Sequence, residues 1–163
     1  MENFKPTKYT LRCVETGRQF DDEGWMLEDN RCKTPSLVKA EYESRRLELK
    51  GEHYGIYKFC DWLPVSRTLK GSAAPVTWKS EGLAKELGLE NLWITISGWF
   101  PGRGAEMTTC AFKEAEAYSV CGRFNEECGQ VLVVASAGNT ARAFAKVCSD
   151  NDIPLLLCVP EDN

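Results

Sequence analysis

The feature that most constrains the fold lies in the last third of the chain. Residues 130–135 read QVLVVA, a nearly unbroken apolar run that predicts a parallel strand covered on both faces. The segment 136–140 (SAGNT) then turns the chain into a helical pattern over 141–149, and residues 154–159 (PLLLCV) form a second strand pattern. Parallel strands joined by a helix make a β-α-β unit. The sequence therefore predicts an α/β fold.

The first part of the chain is more polar and has few long apolar runs, which predicts a smaller, separate lobe. Residues 9–13 and 24–27 have the pattern of short strands, and residues 37–50 (LVKAEYESRRLELK) have the pattern of a short helix ended by Gly51. We therefore expect an N-terminal α+β lobe over residues 1–60.

The rest of the chain, residues 61–163, is predicted to be an incomplete α/β region. Within it, residues 79–87 predict a helix capped by Ser80 and ended by Gly88, residues 92–96 a strand, residues 97–104 a glycine-rich loop, and residues 109–124 a helix whose apolar face includes Phe112, Ala115 and Val120. The chain stops directly after a predicted strand, where an α/β sheet normally continues with a covering helix. We therefore expect a truncated fold, inactive on its own.

Composition and charge disfavour several classes of protein. The net charge is −4 and the basic residues are scattered, which disfavours a nucleic-acid surface because such a surface needs a basic stripe. No apolar run approaches the roughly 18–20 residues that span a membrane, and the first ten residues do not form a signal peptide, so we expect a cytoplasmic protein.

The single histidine, His53, disfavours a Cys/His metal site and Ser-His or Cys-His catalysis. The eight cysteines lie mostly in apolar segments, as reduced, buried cysteines do.

The first candidate for chemistry is Lys113, in the segment 109–114 (TCAFKE). The positive end of a helix dipole disfavours an ammonium group, as does partial burial, and imine chemistry requires the neutral amine. On the pattern alone, a solvent-exposed lysine is the simpler interpretation, because most lysines are exposed.

The second candidate is the turn 136–140. Consecutive N–H groups at a helix N-terminus bind a phosphate or a carboxylate, and Gly138 allows close approach while Ser136 and Thr140 add hydroxyl groups. An ordinary strand-to-helix turn, capped by Asn139 or Thr140, explains the same residues. The turn is not G-x-G-x-x-G, so a dinucleotide site is disfavoured.

Taken together, in this order and spacing, the two segments resemble the fold-type II pyridoxal-phosphate enzymes, and threonine synthases in particular. That family has T-G-S-F-K-D, whose lysine binds the cofactor, followed by a strand and an S-x-G-N-T loop. The resemblance extends upstream through residues 55–59 (GIYKF), 63–65 (LPV), 74–77 (APVT) and 83–93 (LAKELGLENLW), and so covers most of the chain. It implies pyridoxal 5'-phosphate as cofactor and Lys113 as its catalytic lysine. It also implies that Asn139 binds the cofactor's 3-hydroxyl and that the substrate carboxylate is held by Ser136, Ala137, Gly138 and Thr140.

Two departures from the threonine synthase pattern are informative. Residues 96–108 (ISGWFPGRGAEMT) replace a short connection that carries a lysine, and this longer loop resembles the cysteate synthases of methanogens. The planar guanidinium group of Arg103 is suited to binding phosphate or sulfite, although loop arginines are usually solvent-exposed.

Related synthases also have a C-P-x-C-G zinc knuckle, but here Cys13 is followed by Thr16 at the second cysteine's position, and Cys13 and Cys32 are too few for zinc. We expect no metal.

The implied activity is β-replacement on O-phosphoserine by sulfite, giving L-cysteate for coenzyme M biosynthesis. Its partners would be these small molecules, with no nucleic acid and no membrane, and a homo-oligomer stays open for the complete protein. Two alternatives remain: a threonine synthase acting on O-phosphohomoserine, and a non-catalytic interaction module. The second has weight because the family's phosphate-binding loop lies beyond residue 163.

Overall fold

The computed structural model describes residues 8–24, 26–51, 54–124 and 129–161. The strands are β1 (Tyr9–Cys13), β2 (Gln19–Phe20), β3 (Val38–Tyr42), β4 (Val76–Lys79), β5 (Trp93–Ile96), β6 (Trp99–Phe100), β7 (Ala105–Glu106), β8 (Leu132–Ala135) and β9 (Leu155–Cys158). The α-helices are α1 (Gly82–Glu86), α2 (Lys113–Arg123) and α3 (Asn139–Asp150), with 3-10 helices at Gly55–Trp62 and Pro101–Arg103. The α/β class is confirmed at this level. Within these ranges, no helix has the length and apolar character to cross a membrane.

The first sheet belongs to the N-terminal lobe and has the order β2-β1-β3, all antiparallel. The predicted helix over 37–50 is wrong, because residues 38–42 are strand β3 and pair with β1 along its whole length. Val38, Ala40 and Tyr42 alternate with charged residues, and this period of two overrode the local helix preference of the segment. The predicted strand over 24–27 is also wrong for its described residues, since Met26 and Leu27 lie outside any strand. Trp25 lies outside the described residues.

Two antiparallel strand pairs connect the lobe to the last third of the chain. Strands β4 and β5 pair from Val76 opposite Ile96 to Lys79 opposite Trp93, with the short helix α1 between them. Ser80 does not cap α1, which has no side-chain cap, but Gly88 ends the turn after it with a positive φ of 65°. The predicted glycine-rich loop is a hairpin: β6 pairs with β7, and the 3-10 turn Pro101–Arg103 lies at its tip.

An apolar core lies between helices α2 and α3, strand β8 and the 3-10 helix Gly55–Trp62. Its buried members are Ile56, Tyr57, Cys60, Val65, Leu69, Ala74, Ala117, Tyr118, Cys121, Phe124, Leu132, Ala143, Phe144, Val147, Cys148 and Ile153. Residues 56–60 therefore contribute to the core on the far side of the predicted domain boundary at residue 60. That boundary stays a prediction.

Strands β8 and β9 form the predicted parallel pair, with α3 between them in the chain. Leu132 of β8 is buried in the core, whereas Val133, Leu156 and Val159 are more than half exposed. The expectation that this strand is covered on both faces is therefore wrong for the chain described here. A continuous apolar run does not reveal which of its two faces another segment covers. In the same way, Phe112 was assigned to the apolar face of α2 but is exposed just before the helix begins.

Candidate functional site

The segment before α2 is a tight turn closed by Glu114. A carboxylate oxygen of this fully buried side chain, Oε2, accepts a hydrogen bond of 2.8 Å from the backbone N–H of Thr109. Cys110, the next residue, has a left-handed backbone with φ of 52°, and its N–H donates to the carbonyl of Met107 at 3.1 Å. The other oxygen of Glu114, Oε1, is buried without a hydrogen-bond partner among the described residues. The turn therefore carries a fixed acidic group next to Lys113.

Lys113 is the first residue of α2, and its side chain is about one-third exposed, at 35%. Its Nζ donates to Glu116 at 2.5 Å, one turn further along the helix, and lies 5.3 Å from the centre of the Phe112 ring. The structure therefore places Lys113 at the helix N-terminus predicted from the sequence, in a position that solvent-borne ligands can reach.

The turn 136–140 leads into helix α3 and leaves the first N–H groups of that helix without a partner among the described residues. Ser136 Oγ accepts the N–H of Gly138 at 3.2 Å, and α3 begins at Asn139 with no side-chain cap. The alternative of a turn capped by Asn139 or Thr140 is therefore wrong. The N–H groups of residues 139–141 lie in the first turn, where an α-helix offers no partner, and they donate to none of the described residues.

The space around this turn is open. A Cβ atom placed on Gly138 would meet nothing within 4 Å. A cleft of about 380 Å³ lies beside the turn, at the carboxyl ends of β8 and β9. It is lined by Ala135, Ser136, Ala137, Cys158, Val159 and Pro160. In open α/β sheets, ligands bind at this end of the strands.

The two segments are joined by Arg142, on the first turn of α3. Its Nη2 donates to the carbonyl of Thr109 at 3.1 Å, and its Nη1 donates to Oδ1 of Asn139 at 3.4 Å. Helices α2 and α3 also pack against each other through the core. The residues that the sequence suggested as a lysine segment and an anion-binding turn are thus held together.

Arg103 lies in a different place. Its guanidinium stacks 5.3 Å from the centre of the Trp78 ring, beside a cleft formed by residues 78–83. Trp78 in turn meets Phe100 edge-on at 6.3 Å. None of the contacts within the described residues brings Arg103 to Lys113 or to the turn 136–140, so its role in binding substrate stays a prediction.

Sequence reasoning missed two residues of the site. Arg142 follows Asn139 by three residues, so a helix beginning at Asn139 would have placed both side chains on one face. Glu114 is, in the sequence, simply the acidic residue that follows Lys113. Nothing local in the sequence distinguishes a carboxylate that turns back onto Thr109 from one that points into solvent.

In the N-terminal lobe, the buried thiol of Cys13 contacts two polar groups. Its Sγ lies 3.3 Å from Ser36 Oγ and accepts the N–H of Thr16 at 3.4 Å, and these contacts, Ser36 first, lower the pKa of Cys13 to about 7. Nearby, Arg18 forms an ion pair with the buried carboxylate of Asp29. Among the described residues, no three Cys, His, Asp or Glu side chains are grouped to hold a metal ion. His53 lies outside those residues, so the absence of a metal stays a prediction.

Comparison with known proteins identifies the relatives of this chain. It is 46% identical to a cysteate synthase of Methanothrix thermoacetophila over 158 residues, or 94% of this chain and 36% of the relative. A cysteate synthase of Methanosarcina mazei is 44% identical over 154 residues, again 94% of this chain and 36% of the relative. A third, from Methanocorpusculum labreanum, is 41% identical over 155 residues, or 95% of this chain and 37% of the relative. No family model and no solved structure matches.

These three relatives, each of which matches nearly the whole chain, are all synthases by name. Over the matched residues, the chain belongs to the cysteate synthase family. It spans slightly more than a third of the length of these curated relatives, 36–37%.

Proposed function

We propose that this chain is part of a pyridoxal-phosphate-dependent cysteate synthase, which converts O-phospho-L-serine and sulfite into L-cysteate and phosphate. The observation that carries the proposal is the joining of the Lys113 segment to the turn 136–140 through Arg142. Identity of 41–46% to methanogen cysteate synthases supports the choice of reaction over threonine synthesis. A fold-type II architecture and a cytoplasmic location belong to the same proposal, and the exposed thiols of Cys110 and Cys158 suit a reducing compartment.

The residues present fit the cofactor. Lys113 supplies an accessible amine, and the uncapped N-terminus of α3 supplies N–H donors beside an open glycine. When bound, pyridoxal phosphate supplies an electron sink for the substrate α-carbon. In this arrangement Lys113 would hold the cofactor, and the side-chain amide of Asn139 would hydrogen-bond its ring hydroxyl.

The turn 136–140 would bind the carboxylate of the amino-acid substrate. Ser136 and Thr140 offer hydroxyl groups, and the backbone N–H groups after Gly138 point from the positive end of a twelve-residue helix. Ala137 lines the cleft without filling it. Binding the carboxylate here would fix the orientation of the α-carbon, which limits the reaction to one face of the substrate.

Lys113 would also move the proton at the substrate α-carbon. For this its amine must leave Glu116, because an ion-paired ammonium cannot accept a proton. Lys113 would take the α-proton, and the Cβ–O bond would break as phosphate leaves. Sulfite would then form the Cβ–S bond, and the proton would return from Lys113 to the α-carbon. Lys113 is thus given two tasks: holding the cofactor and acting as the base.

Cofactor attachment gives the first test, on the full-length protein. Borohydride treatment in the presence of pyridoxal phosphate should fix the cofactor to the peptide that carries Lys113, and mass spectrometry locates the label. Lys113→Ala should abolish the label, whereas the control Lys85→Ala on the short helix α1 should keep it. Labelling of the Lys113→Ala protein at the wild-type level would disprove the assignment.

The choice of reaction needs a second test. With O-phosphoserine, the enzyme should release phosphate and form cysteate only when sulfite is present. With O-phosphohomoserine it should form little threonine, although one methylene alone discriminates by only about 1–3 kcal/mol. Efficient threonine formation with no sulfite-dependent product would disprove the cysteate assignment and leave the cofactor assignment intact.

Arg103→Ala should weaken the apparent affinity for sulfite or phosphoserine if this arginine binds their oxyanions.

A further inference from the structure

Arg142 has no role in the chemistry described so far, yet it is the residue that contacts both halves of the site. One guanidinium nitrogen reaches the backbone carbonyl of Thr109, four residues before Lys113, and another reaches the side chain of Asn139. The contact to Thr109 spans 33 positions of sequence. A single side chain on α3 therefore bridges the lysine segment and the turn.

The contact to Asn139 also fixes the direction of the asparagine amide. A guanidinium has donors and no acceptor, so the atom that Asn139 presents to Arg142 must be its carbonyl oxygen, Oδ1. The NH₂ group of the same amide then points away from Arg142. None of the described residues accepts a hydrogen bond from it, and Asn139 is exposed beside the cleft.

We propose that Arg142 is a positioning residue that holds the Asn139 amide so that its NH₂ group donates to an acceptor oxygen of the bound cofactor. The proposal rests on the proposed function, since it takes that oxygen to be the ring hydroxyl of pyridoxal phosphate. The charge of Arg142, close to the same amide, favours the deprotonated form of this hydroxyl. Asn139 contacts the cofactor, and Arg142 acts through Asn139.

Asn139→Asp separates this role from a purely structural one. Aspartate keeps an acceptor oxygen for Arg142 and gains an ion pair with it, but it has no NH₂ group to donate. The melting temperature of the cofactor-free full-length protein should stay at or above that of the cofactor-free wild type, because bound cofactor would itself add stability. The affinity for pyridoxal phosphate, measured by equilibrium dialysis, should fall at least about tenfold, as expected for losing one hydrogen bond to a charged group and gaining a repulsion. Unchanged affinity in Asn139→Asp would show that the amide does not donate and would overturn the proposal.

Arg142→Met gives the complementary measurement, because methionine keeps much of the side-chain length and removes the donors. The affinity for pyridoxal phosphate should fall about tenfold. The pH at which the visible absorbance of the bound cofactor changes should move upward, because a positive charge that favours the deprotonated hydroxyl has been removed. Arg142→Lys, which keeps the charge and one donor, should restore part of both. An absorbance titration identical to that of the wild type in Arg142→Met would contradict the proposal.

Lys146→Met is the matched control. Lys146 lies one turn further along α3 and also makes two polar contacts, with Asp150 at 2.7 Å and Tyr118 Oη at 3.4 Å. Its loss should lower the melting temperature slightly and leave cofactor affinity and the absorbance titration unchanged. A wild-type protein that binds no pyridoxal phosphate would refute the proposed function itself. A wild type that binds it, with variants that titrate identically, would refute the role of Arg142 alone.

Discussion

The N-terminal lobe and the helical core are stabilised in different ways. In the lobe, the sheet of β1–β3 has few fully buried apolar side chains, and its described contacts are mostly polar: Arg18 with Asp29, Tyr9 with Asp22, and Arg12 with Glu41. The core around α2 and α3 is apolar, and none of the residues of β1–β3 belongs to it. The stability of the lobe should therefore depend on the charge of its side chains and on pH. The stability of the core should depend on the volume of its buried side chains.

The largest effect is expected from removing a ring in the core. Phe144 of α3 is 5% exposed, so Phe144→Ala should lower the free energy of unfolding by about 3–5 kcal/mol, measured by urea denaturation. Phe112, which is 64% exposed, provides a matched control, and Phe112→Ala should change stability by less than about 0.5 kcal/mol. Similar losses in the two variants would show that the core is not where apolar burial stabilises the protein.

The second prediction concerns the link between the two regions. Arg123, at the end of α2, donates to Asp22 of the lobe at 2.6 Å and to the carbonyl of Met26 at 3.0 Å. Arg123→Met should lower the free energy of unfolding by about 1–3 kcal/mol, because it leaves a largely buried carboxylate without its cation.

Arg12→Met is the control for this link. The ion pair of Arg12 with Glu41 is exposed, so its loss should cost at most about 1 kcal/mol. If the Arg123 variant lost no more than the Arg12 variant, the contact between lobe and core would be only a surface ion pair. Hydrogen exchange of β1–β3 amides should increase in the first variant and not in the second.

The third prediction separates the regions by pH. Hydrogen bonds from Arg18 lower the pKa of Asp29 to about 2, below its usual value near 3.9. The folded lobe thus favours the carboxylate, so the stability it contributes is complete above about pH 4 and is lost as the pH falls toward 2. NMR amide signals from β1–β3 should broaden or shift over that interval before those of α2 and α3. Asp29→Asn should weaken the lobe at neutral pH and remove this part of the acid dependence.

How well the sequence predicted the structure differs between the same two regions. The β-α-β unit was predicted nearly to its ends, because a long apolar run and a three-turn amphipathic helix leave few alternatives. In the lobe, residues 37–50 were assigned to a helix although Val38–Tyr42 pairs with β1. Short segments there take their conformation from strand pairing and polar contacts distant in sequence, such as Arg18 with Asp29, which local periodicity does not encode.

The candidate site shows the same limit at the scale of single residues. Lys113 and the turn 136–140 were visible as motifs because each is a short local pattern at the start of a helix. The contact that joins them, from Arg142 on α3 to Thr109 just before α2, is separated in sequence by helix α2 and strand β8, and it depends on how α3 packs on α2. Motifs predicted the parts of the site, and only the packing of α3 on α2 determines how those parts are joined.

The smallest effect is expected at Cys110, and it tests whether the turn before Lys113 is strained. Cys110 has φ of 52°, a left-handed conformation that costs a non-glycine residue roughly 1–2 kcal/mol. The threonine synthase pattern T-G-S-F-K-D has glycine at the matching position. Cys110→Gly should remove that cost, and the greater flexibility of glycine in the unfolded chain should offset about 0.5–1 kcal/mol of the gain. We therefore expect the free energy of unfolding to rise by roughly 0.5–1 kcal/mol, measured by urea denaturation under reducing conditions.

Cys110→Ala removes the thiol but keeps a Cβ atom, so it should leave stability nearly unchanged. If Cys110→Gly were destabilising while Cys110→Ala were neutral, the turn would not be strained, and the hydrogen bond from Thr109 to Glu114 would be sufficient to hold it.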